Sequence, residues 1–466
     1  MVSSFFCSLV LAVEALSGMG GYGVQGRCIQ DPGAQAGAYV YAGTAVPYEA
    51  PGDVKVIPDS LEVVFVNHVG RHGARFLSSG KSVERLRRYL EGCGGLTPAG
   101  ERVRDLCLTA DSVMSGRWGA LDALGREEQS GIGHRMAARY GGLLARYDSV
   151  EGISSYVPRC VMSMDELVHG VVWDVRSLEV VTGSGKRFSP LLRFFDESEA
   201  YDEYKKTSGW MDVYEGFCDS VCPASVVLRL SDGGSRLIRR LCEEALRDGV
   251  DDSGAWLELA LEARLKGNWP AEWTAMSGLT KKEALDLARD LYSVVAGCEA
   301  VAPEIPYDVC DWRCFFTSRE FERLWECGNL KHYLIYSANG LSEVPATMAT
   351  PLLRELVESL EDAAREDYSG PAVRVRLGHA ETMMPLLALM DLPGCRYVTS
   401  EWGSVADHWM DWDVAPMAAN LQLVLCRSLD GERDYLITLR NEMPVGAPEP
   451  LDAALERMRS QAGMTR

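Results

Sequence analysis

The stretch Arg71-His72-Gly73-Ala74-Arg75 contains residue types that suit phosphate chemistry. The two arginines offer forked, permanently charged donors that match phosphoryl oxygens, and a neutral histidine is a nitrogen nucleophile. The glycine permits a tight turn and lets an anion approach main-chain N–H groups. The combination predicts a nucleophile with an anion clamp beside it. As an isolated string it also fits a solvated basic turn, which is the commoner case for such a motif.

A second set of reactive residue types stands late in the chain, where Gly378, His379 and Glu381 follow an apolar strand pattern. A carboxyl group beside a phosphate site can act as a general acid, and a sugar or cyclitol oxygen leaves poorly unless it is protonated. The same residues also suit an ordinary helix N-terminus, where Glu381 merely favours the helix dipole. The residues alone support both interpretations of this triplet.

The strands that must position these clusters come from both halves of the chain. Residues 61–66 form an apolar run typical of a buried strand, and residues 372–377 have a similar pattern. Residues 421–427 and 435–440 fit a hairpin with an Asp-Gly turn between them. Ligands of open α/β sheets bind at the carboxyl ends of the strands. We therefore predict an α/β fold whose sheet carries the first cluster at its mouth.

Helical patterns follow the first strand. A helix is expected to open at residue 98, and residues 125–147 have one apolar face. Residues 156–163 fit another short strand, with a helix beginning near Ser163.

The middle of the chain is richer in charged residues and in helical patterns. No strand pattern there is as clear as that of residues 61–66, and helices are expected at residues 235–247, 255–266 and 281–296. We predict that residues 171–305 form an inserted, mainly helical domain. It would separate two parts of the α/β domain, at residues 40–170 and 306–466.

Composition excludes several classes of protein. The 466 residues are 47% hydrophobic and 24% charged, which is an ordinary globular composition for two or three domains. The formal net charge of −20 argues against a general nucleic-acid binder and against adhesion to anionic lipid. An arginine-rich pocket in so acidic a chain must hold a polyanion by close contacts rather than by long-range attraction.

The pattern of residues at the start of the sequence predicts that the protein is exported. Residues 5–13 are apolar and residues 18–26 are rich in glycine, so residues 1–27 resemble a cleavable secretory leader. The pattern departs from the usual one, because no Lys or Arg precedes the apolar run and Glu14 follows it. No later segment has the length and apolarity of a membrane span. We expect a protein of the bacterial periplasm or envelope, or a secreted one.

The 14 cysteines are many for a reducing compartment. If the chain is exported, the pairs Cys218/Cys222 and Cys310/Cys314 could be bridged, although connectivity does not follow from spacing. A structural metal site is not expected, because the seven histidines are scattered and zinc sites need closer, matched ligand pairs.

Together, the two clusters resemble the histidine acid phosphatase branch of the histidine phosphatases. The branch signature has Arg-His-Gly-x-Arg after the first strand. Other members close the site with His-Asp, whereas the multiple inositol polyphosphate phosphatases, a phytase-like group, use His-Ala-Glu, as at residues 379–381. Further matches in the same order lie at residues 43–48, 116–119, 131–136 and 415–421. The resemblance thus covers nearly the whole chain after the leader, and it is closest to the inositol polyphosphate group.

The resemblance implies roles for particular residues. His72 would form a phosphohistidine and Glu381 would donate the proton to the leaving group. The residues that would hold the transferring phosphoryl group are Arg71, Arg75, Arg159 and His379. Lys81 falls where related phytases contact the other phosphates of the substrate. Neither a metal nor another cofactor is implied, and the fold would be a mostly parallel α/β sheet with an inserted helical domain.

The implied substrate is a small molecule, phytate or a lower inositol phosphate, with no nucleic acid as partner and no stable membrane span. Related phytases often have Tyr-Pro after the second arginine, where this chain has Phe76-Leu77, so positional preference stays open. Lys205 and Lys206 are candidates for the pocket wall, although solvated charges are the commoner case. The alternatives are a broad acid phosphatase, a bisphosphoglycerate phosphatase, or a module that binds inositol phosphates without turnover.

Overall fold

The computed structural model describes residues 40–464, apart from residues 53, 148, 176, 251–253, 300 and 302–303. The predicted leader, residues 1–27, lies outside the described residues. In the described part, no helix is long and apolar enough to cross a membrane.

One sheet contains the strands of the described residues. They are β1 (Leu61–Arg71), β2 (Ser149–Ser154), β3 (Glu179–Ser184), β4 (Val373–Gly378), β5 (Asn420–Ser428), β6 (Asp434–Arg440), β7 (Met443–Pro444) and β8 (Glu449–Pro450). Their order is β3-β2-β4-β1-β5-β6-β7, and β8 pairs with β6. The first four of these neighbours are parallel, while β5 runs antiparallel to both β1 and β6. Since β6 therefore points the same way as β1, most strands share one direction, and the predicted mostly parallel α/β fold is confirmed.

Helices flank this sheet. They are α1 (Lys81–Gly92), α2 (Pro98–Met114), α3 (Ala123–Leu144), α4 (Pro158–Asp174), α5 (Ser189–Leu192), α6 (Glu199–Thr207), α7 (Trp210–Val221), α8 (Ser225–Leu228), α9 (Asp232–Arg247), α10 (Gly254–Lys266), α11 (Ala271–Ser277), α12 (Lys281–Glu299), α13 (Tyr307–Cys310), α14 (Ser318–Tyr336), α15 (Val344–Thr347), α16 (Thr350–Ala363), α17 (Ala380–Leu389), α18 (Val405–His408), α19 (Asp411–Val414) and α20 (Leu451–Gln461). The helices predicted near residues 98, 125–147, 235–247, 255–266 and 281–296 are confirmed, with ends shifted by a few residues.

The central block, residues 171–305, contains β3 as well as helices. The strand lies at the edge of the sheet, beside β2. Buried side chains from α9 and α12 share a core with α1 and α2, which precede the block in sequence. The predicted boundaries of an inserted domain therefore remain a prediction.

The cysteines of the described residues are all free thiols. Cys218 lies in α7 and Cys222 follows its last residue, and both are buried. Cys310 and Cys314 are also unbridged. Neither of the two pairs considered from the sequence forms a disulfide here.

The prediction that residues 156–163 form a strand is wrong. β2 ends at Ser154, and α4 begins at Pro158. Proline suits the first helical position, because its missing N–H would have no partner there in any case. A short apolar run cannot be distinguished from a buried helical turn by periodicity alone. Arg159 therefore extends from the first turn of a helix and not from the end of a strand.

The central strands bring the two reactive clusters to the same edge of the sheet. β1 and β4 are parallel neighbours, and their register pairs Arg71 with Gly378. The ladder continues one residue further, because the N–H of His72 donates to the carbonyl of Gly378 at 3.1 Å. Since both strands end here, His72 and His379 leave the sheet side by side.

Helices α3 and α4 cross at a pair of glycines. A Cβ added at Gly133 would lie 2.1 Å from the carbonyl oxygen of Leu167, and one at Gly170 would lie 2.4 Å from that of Ser130. Both distances are far below van der Waals contact with backbone atoms, which cannot easily move. This close approach fixes α4, and with it Arg159, against the rest of the site.

Gly133→Ala is therefore expected to lower the free energy of unfolding by about 2 kcal/mol or more, because the added methyl forces two packed helices apart. Urea denaturation monitored by circular dichroism measures the effect. Gly142→Ala is the matched control, since a Cβ there meets no atom within 4 Å in the same helix. An equal loss in both variants would contradict the packing argument.

Candidate active site

A polar pocket of about 250 Å³ opens at the carboxyl ends of β1 and β4. Its lining residues are Thr44, Arg71, His72, Arg75, Ser78, Arg159, Lys331, His332, Ile335, Tyr336, Ala380, Glu381 and Met384. Five of the seven residues predicted from the sequence are in this set. His379 contacts Arg159 directly behind it. The structure therefore brings six of the seven predicted residues together.

His72 is held as a neutral imidazole. Its Nδ1 lies 2.8 Å from the carbonyl oxygen of Gly73, so that nitrogen donates a proton there and Nε2 keeps its lone pair. Burial and the charges of Arg71 and Arg159 lower the pKa of His72 well below its usual value. An imidazole in this state can attack phosphorus even in acid.

The loop that carries His72 rests on the N-terminal part of α3. The carboxylate of Glu128 accepts the N–H of Ala74 at 2.6 Å, and the side-chain amide of Gln129 donates to the carbonyl of Arg71 at 2.8 Å. A Cβ at Gly73 would lie 2.3 Å from the carbonyl oxygen of Gly125. Only glycine allows the loop to approach the helix this closely, which explains the glycine beside His72.

Three guanidinium groups surround the pocket with unused donors. One Nη atom of Arg71 donates to the carbonyls of Thr44 and Ala415, at 2.6 and 2.7 Å, and one of Arg75 donates to the carbonyl of Phe76 at 2.9 Å. The Nε atoms of Arg71, Arg75 and Arg159 are buried and have no hydrogen-bond partner among the described residues. Buried donors without acceptors are costly. A tetrahedral anion with several oxygens would satisfy them together.

His379 follows β4 directly. Its ring centroid lies 5.8 Å from that of His72, with an interplanar angle of 75°. Nε2 is 3.0 Å from the hydroxyl of Ser155, and Nδ1 is 3.3 Å from an Nη atom of Arg159. Burial and the charge of Arg159 lower the pKa of His379 to about 3, although the carboxylate of Glu381 opposes this. His379 is therefore neutral in the free site.

Arg193 reaches the site although no sequence pattern marked it. Its Nη1 lies 3.0 Å from Nε2 of His379. Its guanidinium stands 5.2 Å from the ring centroid of Tyr156 and 4.9 Å from that of Phe195, within the range of cation–π contacts. A neutral imidazole has one acceptor nitrogen, so His379 cannot accept from Arg159 and Arg193 at once. One guanidinium therefore has donors available for an anion.

Glu381 is the second residue of α17, which begins immediately after His379. Burial raises the pKa of Glu381, but His379, a backbone N–H, Arg71 and Arg75 together outweigh it and hold the pKa below its usual value. The carboxylate is therefore ionised in the free site. A phosphate dianion bound among the same arginines would offset their charge and favour its protonation.

Lys81 does not line the pocket. It is the first residue of α1 and is exposed to solvent. Lys205, another candidate for the pocket wall, pairs with Asp202 at 2.8 Å on the surface of α6. Roles for these lysines remain predictions. No group of three or more His, Cys, Asp or Glu side chains within the described ranges is arranged to hold a metal ion.

The comparisons with known proteins agree with this geometry. The model of the histidine phosphatase superfamily (branch 2) matches residues 62–440. No curated protein matches the sequence. The fold is similar to that of the Bifidobacterium longum multiple inositol polyphosphate phosphatase in complex with phosphate, at 17% identity, with a TM-score of 0.67, over 87% of this chain and 92% of that one.

Two further structures are similar. The same Bifidobacterium longum phosphatase in complex with inositol hexasulfate has a TM-score of 0.59 at 18% identity, over 87% of this chain and 92% of that one. The phytase from D. castellii has a TM-score of 0.59 at 17% identity, over 95% of this chain and 93% of that one. At such identities the likeness shows the fold alone.

Proposed function

The chain belongs to branch 2 of the histidine phosphatase superfamily and is a phosphomonoester hydrolase, and from this premise we propose that it hydrolyses inositol polyphosphates through a phosphohistidine intermediate. The substrates would be phytate and its lower esters. Support for this class comes from the His-Ala-Glu sequence at residues 379–381 and from the inositol hexasulfate bound by a protein of similar fold.

The observation that carries the proposal is the arrangement around His72. A neutral imidazole stands among three guanidinium groups whose Nε atoms have no partner among the described residues. Phosphoryl transfer spreads negative charge over the equatorial oxygens of the transferring group, and fixed cations stabilise that charge. In the proposed mechanism, these side chains would supply both the nucleophile and the charge stabilisation.

The reaction would proceed in two steps. Nε2 of His72 forms a bond to phosphorus while the ester P–O bond breaks, and Glu381 gives its proton to the departing inositol oxygen. Water then attacks the phosphohistidine and gives a proton to Glu381 as the N–P bond breaks. Inorganic phosphate leaves, and both side chains return to their starting states.

Location is part of the proposal. The apolar and glycine-rich start of the sequence, residues 1–27, supports action outside the cytoplasm. The formal net charge of −20 supports a small anionic substrate held by close contacts rather than a nucleic acid.

Phosphate release from phytate, measured from acidic to neutral pH with a chelator present, tests the function. We expect an acid-leaning optimum and release that the chelator does not abolish, because the described side chains supply the charge that a metal would otherwise bring. A strict magnesium requirement would contradict the mechanism. Turnover of a small aryl phosphate without turnover of phytate would favour a general acid phosphatase, and phytate binding without release would favour a binding module.

A further inference from the structure

Helix α14 forms one wall of the active-site pocket with Lys331, His332, Ile335 and Tyr336. His332, Ile335 and Tyr336 follow Lys331 by one, four and five positions, which places all four on one face of the helix. None of the residues expected to hold the transferring phosphoryl group comes from this helix. The wall therefore adds two basic side chains, Lys331 and His332, that are not required to bind that phosphoryl group.

Lys331 is exposed to solvent where it lines the pocket, and none of the hydrogen bonds or ion pairs found among the described residues involves its side chain. Four other lysines have carboxylate partners, as when Lys281 pairs with Asp219 at 2.8 Å; they are Lys55, Lys205, Lys281 and Lys282. Desolvation at the pocket wall is the main cause that lowers the pKa of Lys331, and the positive charge of Arg289 lowers it further, although Cys218 opposes both. A cation beside another cation at a pocket wall is stabilised by an anion in that pocket.

His332 is held in a fixed orientation next to it. Its Nδ1 lies 2.7 Å from a carboxylate oxygen of Asp411, which is 2% exposed, and the other carboxylate oxygen accepts from Nε1 of Trp325 at 2.9 Å. The main-chain N–H of Asp411 donates to Asn329 at 2.8 Å, so the carboxylate is fixed in turn. The ring of His332 also stacks on Tyr336. Nδ1 is thus committed to Asp411, and Nε2 remains available to a ligand.

We propose that Lys331 and His332 form a second anion subsite, which binds a phosphate group of the inositol polyphosphate other than the one being transferred. The inference rests on the proposed function and deepens it. The clamp at His72 recognises one phosphoryl group of any monoester, whereas the α14 subsite recognises a second group and therefore favours polyphosphorylated substrates. Asp411 acts as a positioning residue for His332.

The test compares two substrates in variants of the full chain. Lys331→Met removes the charge and keeps an unbranched side chain. We expect it to raise KM for phytate about tenfold, the effect of one charge-assisted hydrogen bond, with little change in kcat and with kcat/KM for p-nitrophenyl phosphate unchanged. Lys331→Arg should restore KM for phytate in part. Lys282→Met, on the exposed surface of α12, is the matched control for loss of a lysine.

Two variants separate the roles of the nitrogens of His332. His332→Asn places an amide N–H near the position of Nδ1, so it keeps the contact with Asp411 and loses the atom at the pocket. We expect KM for phytate to rise and the order of phosphate removal, followed by anion-exchange chromatography of the products, to change. His332→Gln retains a polar atom near the position of Nε2 and is expected to have the smaller effect.

An unchanged KM for phytate in Lys331→Met, or an equal loss on both substrates, would overturn the subsite. The failure of the proposed function would look different, because the wild-type enzyme itself would then hydrolyse p-nitrophenyl phosphate and leave phytate intact.

Discussion

His72→Ala is expected to abolish phosphate release from phytate, lowering kcat by about 10⁵-fold. The nucleophile would be lost, while Arg71, Arg75 and Arg159 would still hold the substrate. The variant should therefore bind phytate with an affinity close to that of the wild-type enzyme. Phosphate release and isothermal titration calorimetry measure the two properties separately.

The covalent intermediate gives a second measurement. Wild-type enzyme quenched in alkali during turnover should carry phosphate on His72, found by mass spectrometry of the peptide, because phosphohistidine survives alkali and is lost in acid. His169→Ala is the matched control, since His169 is an exposed histidine that contacts Trp173. Turnover of phytate by His72→Ala at a rate near that of the wild-type enzyme would exclude the phosphohistidine mechanism.

The central part of the fold follows from local patterns in the sequence. Residues 61–66 and 372–377 are apolar runs with the composition of buried strands, and each leads directly to a reactive histidine. Parallel neighbours end at the same edge of a sheet, which explains why two clusters about 300 residues apart in sequence meet in one pocket. The phosphate chemistry of the two clusters could therefore be predicted from the sequence before the structure showed that they lie in one pocket.

Arg159 shows where that reasoning stops. The family resemblance assigned this residue to phosphate binding, and it lines the pocket, but its element was predicted wrongly as a strand. The apolar residues around Arg159 fit both the period of a strand and the period of a helix. The helix is favoured by the tertiary contact of α4 with α3 through Gly133 and Gly170. No pattern of side chains in one segment reports such a contact.

Arg193, Lys331 and His332 could not be found from the sequence because nothing in their local spacing differs from an ordinary charged surface. Arg193 precedes a short 3-10 helix between α5 and α6, and the other two lie in the C-terminal part of α14. Only the packing of these elements against the ends of β1 and β4 turns their side chains toward the pocket. Lys81, which the family resemblance did mark, lies outside that pocket.

Glu381→Gln is expected to affect the two kinds of substrate differently. An inositol alkoxide leaves poorly unless it is protonated, so release from phytate should fall by about 10²- to 10⁴-fold. Nitrophenolate needs no proton to leave. With p-nitrophenyl phosphate the first step should therefore persist while water attack on the phosphohistidine slows, which gives a burst of nitrophenolate stoichiometric with enzyme. Stopped-flow absorbance detects such a burst.

The pH dependence follows from the same carboxyl group. The lowered pKa of His72 keeps its imidazole neutral in acid, so protonation does not remove the proposed nucleophile. Glu381 can donate only when it is protonated, and the surrounding cations hold its pKa below the usual value in the free site. Wild-type kcat on phytate should therefore fall as pH rises through the pKa of Glu381 in the substrate complex. In Glu381→Gln, the rate of the first step, transfer of the phosphoryl group to His72, should not show this decline with rising pH.

Glu401→Gln is the matched control, because Glu401 is an exposed carboxylate away from the pocket. It should retain wild-type rates and the wild-type pH profile on both substrates. Glu381→Gln could instead reduce phosphate release from phytate and the nitrophenolate burst by the same factor. Glu381 would then act in substrate binding or in positioning His379, and not as the proton donor. The proton donor would then have to be sought among the other groups that line the pocket.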